Sequence, residues 1–570
     1  PNIVRVYNSV QHASRRDGQS SGYIVMEYVG GKSLKQIRLD AGQHGGAVPL
    51  SHALAYALEI LPAFGYLHDR GLVYCDFKPD NIIQTEEQLK LIDMGGTRYI
   101  NDDGPIYGTV GYQAPEIETE GPSPSSDLYT VGRSLAVLTF DFAGFQGQYK
   151  FRLPESEPLL AQQESYARLL RRATHRHPAR RFQSAGDMAE QLTGVLREVL
   201  SGADGLARPA FSGLFSPELR AIGTDLSPAP ANQNGTPNGN GTLAVPPPPA
   251  AEVIAGLPAP LVDGADPAAG YLPTLAGLEP AQQAEKLLGA VAGDGGVPPE
   301  VAASIETRLA LVRALIGTGD LTAAQASLAE LSSAGPAAGV TDWRVAWYSG
   351  LCALGAGQPD RARAAFGAVY DELPGELAPK LALAFAAEAA GDLPAARYYF
   401  RLVWTIDQSY VSAGFGTARA YLAGGDRVSA IAAVAAVPEN SSHHAAAQIA
   451  AVRLLVAGGT GLSGTDLRQA DQRLGRLSLD EGDPRRQQLA VEILRAALDW
   501  VSAGTAAPQP AAPQPGAPQP AAERILGCEP NERALRFGLE RGYRALATLV
   551  PERRTELVDM ANSVRPRTWI

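Results

Sequence analysis

One short loop carries three side chains whose chemistry suits phosphoryl transfer. Residues 74–81 read Tyr-Cys-Asp-Phe-Lys-Pro-Asp-Asn, which places Asp76, Lys78 and Asn81 at offsets 0, +2 and +5. A carboxylate can take the proton of an attacking hydroxyl, and an ammonium group can neutralise charge that develops on a transferred phosphoryl group. An amide oxygen is a hard ligand of the kind that magnesium prefers. The loop therefore predicts phosphoryl transfer with a metal-bound nucleotide.

A second acidic motif follows at the distance that protein kinases use. Asp93-Met94-Gly95 comes twelve residues after Asn81 and directly after the apolar pair Leu91-Ile92. The two motifs resemble the kinase catalytic loop and its D-F-G, with Tyr-Cys-Asp in place of H-R-D and Met in place of Phe. The resemblance implies that Asp76 is the base, that Lys78 acts on the phosphoryl group, and that Asn81 and Asp93 hold Mg²⁺ on ATP.

Downstream motifs continue the kinase order. Gly108-Thr109 and Ala114-Pro115-Glu116 stand where kinases end the activation segment. Serine/threonine kinases place at the position of Thr109 a hydroxyl that bonds the catalytic Asp and Lys, so the substrate hydroxyls are expected to be Ser or Thr. The same resemblance implies that Asp127 holds backbone N–H groups of the catalytic loop and that Arg181 pairs with Glu116.

Residues 23–31 predict the adenine-binding hinge. They read as a β-branched and aromatic strand that runs into a Gly-Gly breaker. By resemblance Met26 is the gatekeeper, while the carbonyl of Glu27 and the N–H of Val29 hold the adenine edge. Ile83, two residues after Asn81, is expected to form the apolar floor under the ring.

The Gly-rich loop, the strand lysine and its partner glutamate of kinases lie N-terminal to the hinge, and no such residues precede it in this sequence. We therefore expect a partial N-lobe in an N-terminally truncated sequence, which by itself would bind ATP poorly. The alternative is a catalytically idle, kinase-like scaffold that recruits proteins through its other domains.

An internal repeat follows the kinase-like region. Gly319, Gly357, Gly391 and Gly425 are spaced by 38, 34 and 34 residues, and 34 is the tetratricopeptide period. Five residues after each glycine is an alanine, and nine residues after it is a larger apolar residue. The alanines are Ala324, Ala362, Ala396 and Ala430, and the larger residues are Leu328, Phe366, Phe400 and Val434. Small residues at this spacing let paired helices approach closely, so the pattern predicts a solenoid of helix pairs.

Further helices are expected around the repeats. A looser fifth unit is predicted at residues 443–477, a capping helix at 485–501, and a helical segment at 531–562 that packs back on the array. Pro336 and Pro374 fall at helix-ending positions of the first two units.

The predicted fold class is an α+β protein-kinase fold, with a partial N-lobe and a complete helical C-lobe, followed by an all-α tetratricopeptide-repeat solenoid. The expected domains are the N-lobe remainder to the hinge (1–29), the C-lobe (30–200), a partly disordered linker (201–300), the repeats (301–503), a Pro-rich linker (504–522) and a C-terminal helical segment (523–570). Gly, Asn and Pro dominate residues 227–250, and Ala-Pro-Gln-Pro recurs in 504–522, which predicts linkers.

Composition restricts the partners and the compartment. The net charge is −11 with no basic run, which argues against nucleic-acid and membrane-surface binding. The chain has three scattered cysteines and no apolar run long enough to span a membrane. We expect a soluble, cytoplasmic protein without a disulfide framework, and secretion stays open.

The combined features resemble the actinobacterial protein kinase G family. The stretches that resemble it are residues 23–31, 93–95, 108–117, 375–383 and 557–566. The resemblance implies a rubredoxin-type iron module ahead of the kinase, autophosphorylation in the N-terminal region, and phosphorylation of a forkhead-associated-domain regulator of glutamate metabolism. Protein docking on the repeats is expected, and a homodimer stays open.

Cys75 stands where the H-R-D arginine of many kinases receives an activation-loop phosphate. A cysteine cannot pair with that phosphate. We therefore expect activity that does not depend on phosphorylation of the activation segment, and a large rate gain on phosphorylating Thr97 would contradict this expectation. A small buried residue is the favoured interpretation of Cys75, and a redox-sensitive thiol is the alternative.

Overall fold

A computed structural model describes residues 2–13, 20–102, 104, 108–226, 245–293, 296–333, 342–457, 461–480, 482–504 and 524–566. Most of the two expected linker sequences, residues 227–244 of 227–250 and 505–522 of 504–522, lies outside the described residues, as does Pro336. The chain divides into two compact units. The first holds Pro1–Ser212 and Pro260–Lys380, and the second holds Gly213–Ala259 and Leu381–Ile570. The boundary falls within the repeats, and the domain bounds expected from the sequence stay a prediction.

The strands of the first unit are short and antiparallel. They are β1 (Val6–Ala13), β2 (Ser20–Met26), β3 (Lys32–Ser33), β4 (Leu72–Val73), β5 (Ile82–Gln84), β6 (Leu89–Leu91) and β7 (Arg98–Tyr99). β1 pairs with β2, β4 pairs with β7, and the third sheet has the order β3-β5-β6. The backbone of Asn2 and Val4 bonds Leu91 on β6, with N···O distances of 2.8 and 2.9 Å. These strands are the partial N-lobe and the strands around the catalytic loop.

The C-lobe is helical. Its helices are α1 (Leu34–Gln43), α2 (Leu50–His68), α3 (Ile117–Glu120), α4 (Pro124–Thr139), α5 (Pro158–Gln162), α6 (Glu164–Ala173) and α7 (Ala185–Asp204). α4 begins with a capping box at Ser123 and a proline at its first turn, and residues 125–139 are all buried. Gly132 lets α6 approach, because a Cβ there would lie 2.7 Å from the Cβ of Ala173. α4 therefore lies at the centre of the C-lobe, in one apolar core with residues of α1, α2, α6 and α7.

The remaining helices follow in chain order. They are α8 (Ala250–Gly256), α9 (Pro280–Ala292), α10 (Pro299–Ala303), α11 (Ile305–Thr318), α12 (Leu321–Ser333), α13 (Trp343–Gly355), α14 (Pro359–Glu372), α15 (Ala378–Ala389), α16 (Leu393–Ile406), α17 (Val411–Ala423), α18 (Arg427–Ala435), α19 (His444–Val456), α20 (Gly464–Arg476), α21 (Pro484–Ser502), α22 (Glu532–Leu549) and α23 (Arg554–Val564).

The glycine register marks the turns inside four helix pairs, α11–α12, α13–α14, α15–α16 and α17–α18. Gly319, Gly357, Gly391 and Gly425 have φ between 69° and 81°, and a Cβ at any of the first three would meet nothing within 4 Å. The requirement for glycine is therefore conformational, since a side chain is disfavoured in the left-handed region. The four register alanines are fully buried, as expected for closely packed pairs.

The second unit has a continuous apolar core over α19 to α23. Its buried residues include Val452, Leu467, Leu494, Leu539 and Leu557. The looser fifth unit, the capping helix and the C-terminal helices are thus present, and the C-terminal helices pack on α21 as expected. Of the helices in the described ranges, none has the length and apolar character that a membrane crossing requires.

Candidate active site

Three side chains around the catalytic loop form a closed hydrogen-bonded triangle. The loop runs from β4 to β5 and ends in a 3-10 turn at Pro79–Asn81. The Oδ1 of Asp76 accepts a hydrogen bond from the Thr109 hydroxyl at 2.7 Å, and its Oδ2 accepts one from the Lys78 ammonium at 2.6 Å. Lys78 Nζ also lies 2.8 Å from Thr109 Oγ1. The side chains of Asp76 and Lys78 are 18% and 19% exposed. The two hydrogen bonds hold the carboxylate in place, and its exposed part stays accessible to a substrate hydroxyl.

Asn81 and Asp93 offer oxygen atoms beside this triangle. The Asn81 amide nitrogen donates to the Asp76 carbonyl at 3.0 Å, so its Oδ1 is the atom that could bind a cation. Asp93 is exposed, and its Oδ1 accepts the Gly95 N–H at 2.9 Å. The Ile92 N–H bonds the Asn81 carbonyl at 3.0 Å and thereby links the two motifs. An amide oxygen and a carboxylate fit Mg²⁺, which takes few protein ligands and completes its shell with phosphate oxygens and water.

Asp127 on α4 fixes the start of the catalytic loop. Its carboxylate accepts the backbone N–H groups of Tyr74 and Cys75, both at 2.8 Å. This contact confirms the tether expected from the sequence. His68 Nε2 lies 3.0 Å from the same carboxylate. The sequence reasoning missed His68, because a single histidine at the end of α2 carries no spacing signal.

Cys75 occupies a strained and buried position in this loop. Its φ is 70°, in the left-handed region of backbone conformation that residues other than Gly, Asn and Asp rarely adopt. The residue is 1% exposed, and burial raises the pKa of its thiol to about 12. A thiol with a raised pKa is a poor nucleophile, which supports the buried-residue interpretation.

Two buried arginines hold the segment after Thr109. Arg181 makes the expected bidentate ion pair with Glu116, with N···O distances of 2.6 and 2.7 Å. Arg133 on α4 donates to the carbonyls of Gly111, Phe145, Tyr149 and Arg152 at 2.8 to 3.1 Å. The sequence reasoning missed Arg133. The available signal was one cation within an otherwise uncharged stretch of a helix that is buried on every side.

Only one of the expected adenine-binding residues of the hinge region lines a cavity. Val29 lines an open cavity of about 750 Å³ together with residues 30–32 and Lys90, whereas Met26, Glu27 and Ile83 are not among its lining residues. Met26 ends β2 with 44% of its surface exposed. The Glu27 carboxylate bonds Lys90 Nζ, and this bond lowers the pKa of the glutamate.

Gly31 explains how the hinge runs past β5. Its φ is 145°, and a Cβ there would lie 2.1 Å from the Gln84 carbonyl oxygen and 3.0 Å from Cγ2 of Ile83. Ile83 is therefore adjacent to the hinge backbone. The structure thus gathers the three catalytic candidates and links the two metal candidates, while the functional roles of all these residues stay predictions.

Comparisons with known proteins cover both parts of the chain. Residues 209–568 match the family model described as protein kinase G tetratricopeptide repeat, and residues 1–197 match the protein kinase domain. The serine/threonine-protein kinase PknG of Mycolicibacterium smegmatis is 41% identical over 99% of this chain and 71% of its own length. The serine/threonine-protein kinase PknG of Mycobacterium leprae is 40% identical over 100% of this chain and 72% of its own length.

A third relative matches over a smaller part of the chain. Serine/threonine-protein kinase C of Synechocystis is 32% identical over 31% of this chain and 35% of its own length. The two mycobacterial relatives instead match over nearly the whole chain, which includes both the kinase domain and the repeats. With these matches added to its geometry, the chain belongs to the protein kinase G family, serine/threonine protein kinases with C-terminal tetratricopeptide repeats.

Proposed function

We propose that Asp76 accepts the proton of a serine or threonine hydroxyl while Lys78 neutralises charge on the transferred phosphoryl group. The observation that carries the proposal is that Thr109 and Lys78 bond opposite oxygens of the Asp76 carboxylate. This arrangement holds the base in one orientation and keeps an ammonium group beside it. A positioned base and a positioned cation are the parts that this reaction requires of the protein.

Asn81 and Asp93 would hold Mg²⁺ through their side-chain oxygens. The family uses ATP and Mg²⁺ in general, and the ion would supply charge neutralisation on the ATP phosphates. At the hinge, neither the Val29 N–H nor the Glu27 carbonyl makes a hydrogen bond within the described part of the chain. Both are therefore available to the adenine edge, with Met26 and Ile83 as apolar neighbours of the ring.

The Asp76 assignment is tested with Asp76→Asn in the full-length protein, in an assay of labelled phosphate transfer from ATP to a peptide acceptor. General-base catalysis contributes about 100-fold to 10,000-fold, so we expect a loss of turnover in this range with nucleotide binding retained. Asp69→Asn is the matched control, since Asp69 is an exposed aspartate at the end of α2. Turnover of Asp76→Asn above one tenth of that of the control would refute the assignment.

The same assay distinguishes an active kinase from a catalytically idle scaffold. A scaffold that only recruits proteins predicts no phosphate transfer by the native protein and no effect of Asp76→Asn. The closed triangle of Asp76, Lys78 and Thr109 supports the enzyme, because a scaffold has no need of a base, a cation and a hydroxyl in mutual hydrogen-bond contact.

We further propose that protein substrates dock on the repeats. Helix pairs that stack side by side create extended surfaces for peptides and proteins, and the register of the four glycines supports such pairs. A forkhead-associated-domain regulator as substrate, a link to glutamate metabolism and a cytoplasmic location are proposed from family resemblance, and a homodimer stays open. Co-purification of the full-length kinase with a purified candidate regulator tests the docking directly.

A further inference from the structure

An irregular segment of the chain lies against helices of the second unit. Residues 213–226, named here the strap, form neither helix nor strand. Three of its apolar side chains are nevertheless buried, with Phe215 at 2%, Ile222 at 0% and Leu226 at 3% exposure. The strap therefore has the character of an irregular, non-helical peptide seated in a groove.

One wall of this groove is formed by the first helices of two successive repeat pairs. The Ile222 N–H donates to the Ser412 hydroxyl of α17 at 2.8 Å. The Gly223 carbonyl accepts a hydrogen bond from Arg419 of α17 at 2.7 Å. Arg419 is itself held by a buried bidentate pair with Glu388 of α15, at 2.8 and 3.0 Å. The guanidinium would therefore stay paired and positioned if the strap left, so this wall is preorganised.

The opposite wall is α8 and the residues that follow it. The Leu219 N–H bonds the Gly256 carbonyl at 3.0 Å, and the Ser216 N–H bonds the Ala259 carbonyl at 2.9 Å. Gly256 makes room for the strap, since a Cβ there would lie 2.4 Å from Cγ1 of Ile222. Both walls of the groove thus form hydrogen bonds with the backbone of the strap, and the space beside Gly256 accommodates one branched apolar side chain.

The strap fits this groove with one defect. Glu218 Oε2 receives the Ser412 N–H at 3.3 Å, at the start of α17. Its Oε1 is buried and has no hydrogen-bond partner among the described residues. Burial raises the pKa of this carboxyl group to about 8, and nearby Asp407 adds to the shift. A buried oxygen without a partner weakens the seating of the strap.

We propose that the groove between α8 and α17 is a binding site for a non-helical peptide of a partner protein, and that the strap is its displaceable intramolecular occupant. The inference rests on the proposed docking role of the repeats. The ligand would carry a branched apolar residue followed by glycine, in the places of Ile222 and Gly223, and a neutral hydrogen-bonding residue four positions before the apolar residue. Such a peptide makes every contact of the strap and has no ionisable group at the place of Glu218.

Glycine at the second place is required on two grounds. Gly223 has a φ of 62°, and a Cβ there would lie 2.2 Å from Nη1 of Arg419. A peptide with alanine at this place should therefore lose both its backbone conformation and the hydrogen bond from Arg419.

The test uses fluorescence anisotropy of a labelled synthetic peptide of residues 213–226 with Glu218→Gln, added to the full-length protein. The native protein should bind it weakly, because the tethered strap competes at an effective concentration of the order of millimolar. Ile222→Asp in the protein should release the strap and tighten binding of the peptide by about tenfold or more. The matched control is Val428→Asp, at a residue 77% exposed on α18, which should leave binding weak. The peptide with Gly223→Ala should not bind.

A second measurement on the native protein covers the case in which Ile222→Asp fails to fold. Amide hydrogen exchange should show the strap opening locally, with protection about tenfold or more below that of the α17 amides. Equal protection of strap and α17, or no tightening in a folded Ile222→Asp protein, would overturn the proposal. Neither readout depends on phosphate transfer, so a failed Asp76→Asn test does not affect them. If saturating peptide left the phosphorylation of a docking substrate unchanged, this would count against docking of substrates in the groove. It would not count against binding of a peptide there.

Discussion

Lys380→Met should destabilise the first unit by breaking a buried ion pair between the C-lobe and α15. Lys380 Nζ lies 2.9 Å from Oε2 of Glu198 on α7, and the two side chains are 0% and 7% exposed. The ammonium group also donates to the Pro374 carbonyl at 2.9 Å. Ser165 joins the cluster, since its hydroxyl lies 2.6 Å from both Glu198 Oε2 and the Tyr370 hydroxyl.

The magnitude follows from what the substitution leaves behind. Methionine keeps most of the aliphatic chain and removes the charge, so the Glu198 carboxylate stays buried with the Ser165 hydroxyl as its remaining partner in this cluster. Removal of one member of a buried pair costs about 3–5 kcal/mol. Glu198→Gln added to Lys380→Met removes the uncompensated charge and keeps an acceptor for Ser165. We therefore expect the double variant to recover about 2–3 kcal/mol.

The assay is urea unfolding followed by tryptophan fluorescence, with hydrogen exchange of α14 as a local readout. Trp347 is fully buried and its ring centroid lies 5.3 Å from that of Phe366, so it reports on the helix pair beside this contact. Lys286→Met on the exposed face of α9 is the matched control and should change stability by less than about 0.5 kcal/mol.

Two results would refute this reasoning. One is a Lys380→Met protein within about 0.5 kcal/mol of the native protein, which would mean that the ion pair contributes no net stability. The other is a double variant no more stable than Lys380→Met, which would mean that loss of packing and not the uncompensated carboxylate causes the defect.

Three further predictions concern the catalytic loop and the strap. Thr109→Val should lower turnover by about 100-fold or more while Thr109→Ser keeps most of it, because only the hydroxyl bonds Asp76; equal losses in a peptide phosphorylation assay would contradict this. Burial raises the pKa of Glu218 from its ordinary value of 4.5 to about 8 in the folded state, so the folded state binds the proton more tightly. The unfolding free energy of the second unit should therefore fall as pH rises from 5 to 8, and Glu218→Gln should flatten this slope in urea titrations; an unchanged slope would exclude Glu218 as its source. Cys75 should resist iodoacetamide at pH 8 in the folded protein and react after unfolding, as mass spectrometry of its peptide can show; rapid modification of the folded protein would contradict its burial.

Much of the catalytic site follows from the sequence because a single loop carries it. Asp76, Lys78 and Asn81 lie within six residues, so their spacing alone limits where their side chains can be. The repeats follow for a similar reason, since each glycine marks a turn that requires left-handed backbone and each alanine marks a close helix contact. Both patterns are local, and a periodic or compact motif is readable without knowledge of distant contacts.

The supports of the site do not follow in the same way. Arg133 holds four carbonyls that belong to two different loops, and nothing in the sequence pairs a lone arginine with carbonyl groups. His68 and Asp127 are 59 residues apart and meet only because α2 packs on α4. The hinge residues also have a clear sequence signature, yet their grouping into an adenine pocket depends on packing that the signature does not specify.

The sequence by itself determined the family and the architecture: kinase motifs in their usual order and a series of helix pairs. These depend on residue type at fixed short spacing, which backbone geometry converts directly into structure. Only the tertiary structure decided that Lys380 completes a buried pair with Glu198, and that the strap fills a groove against α17. Both contacts join residues more than 180 positions apart. A pair so distant leaves no periodicity or motif in a single sequence, because the two residues interact strongly only after folding has buried them together.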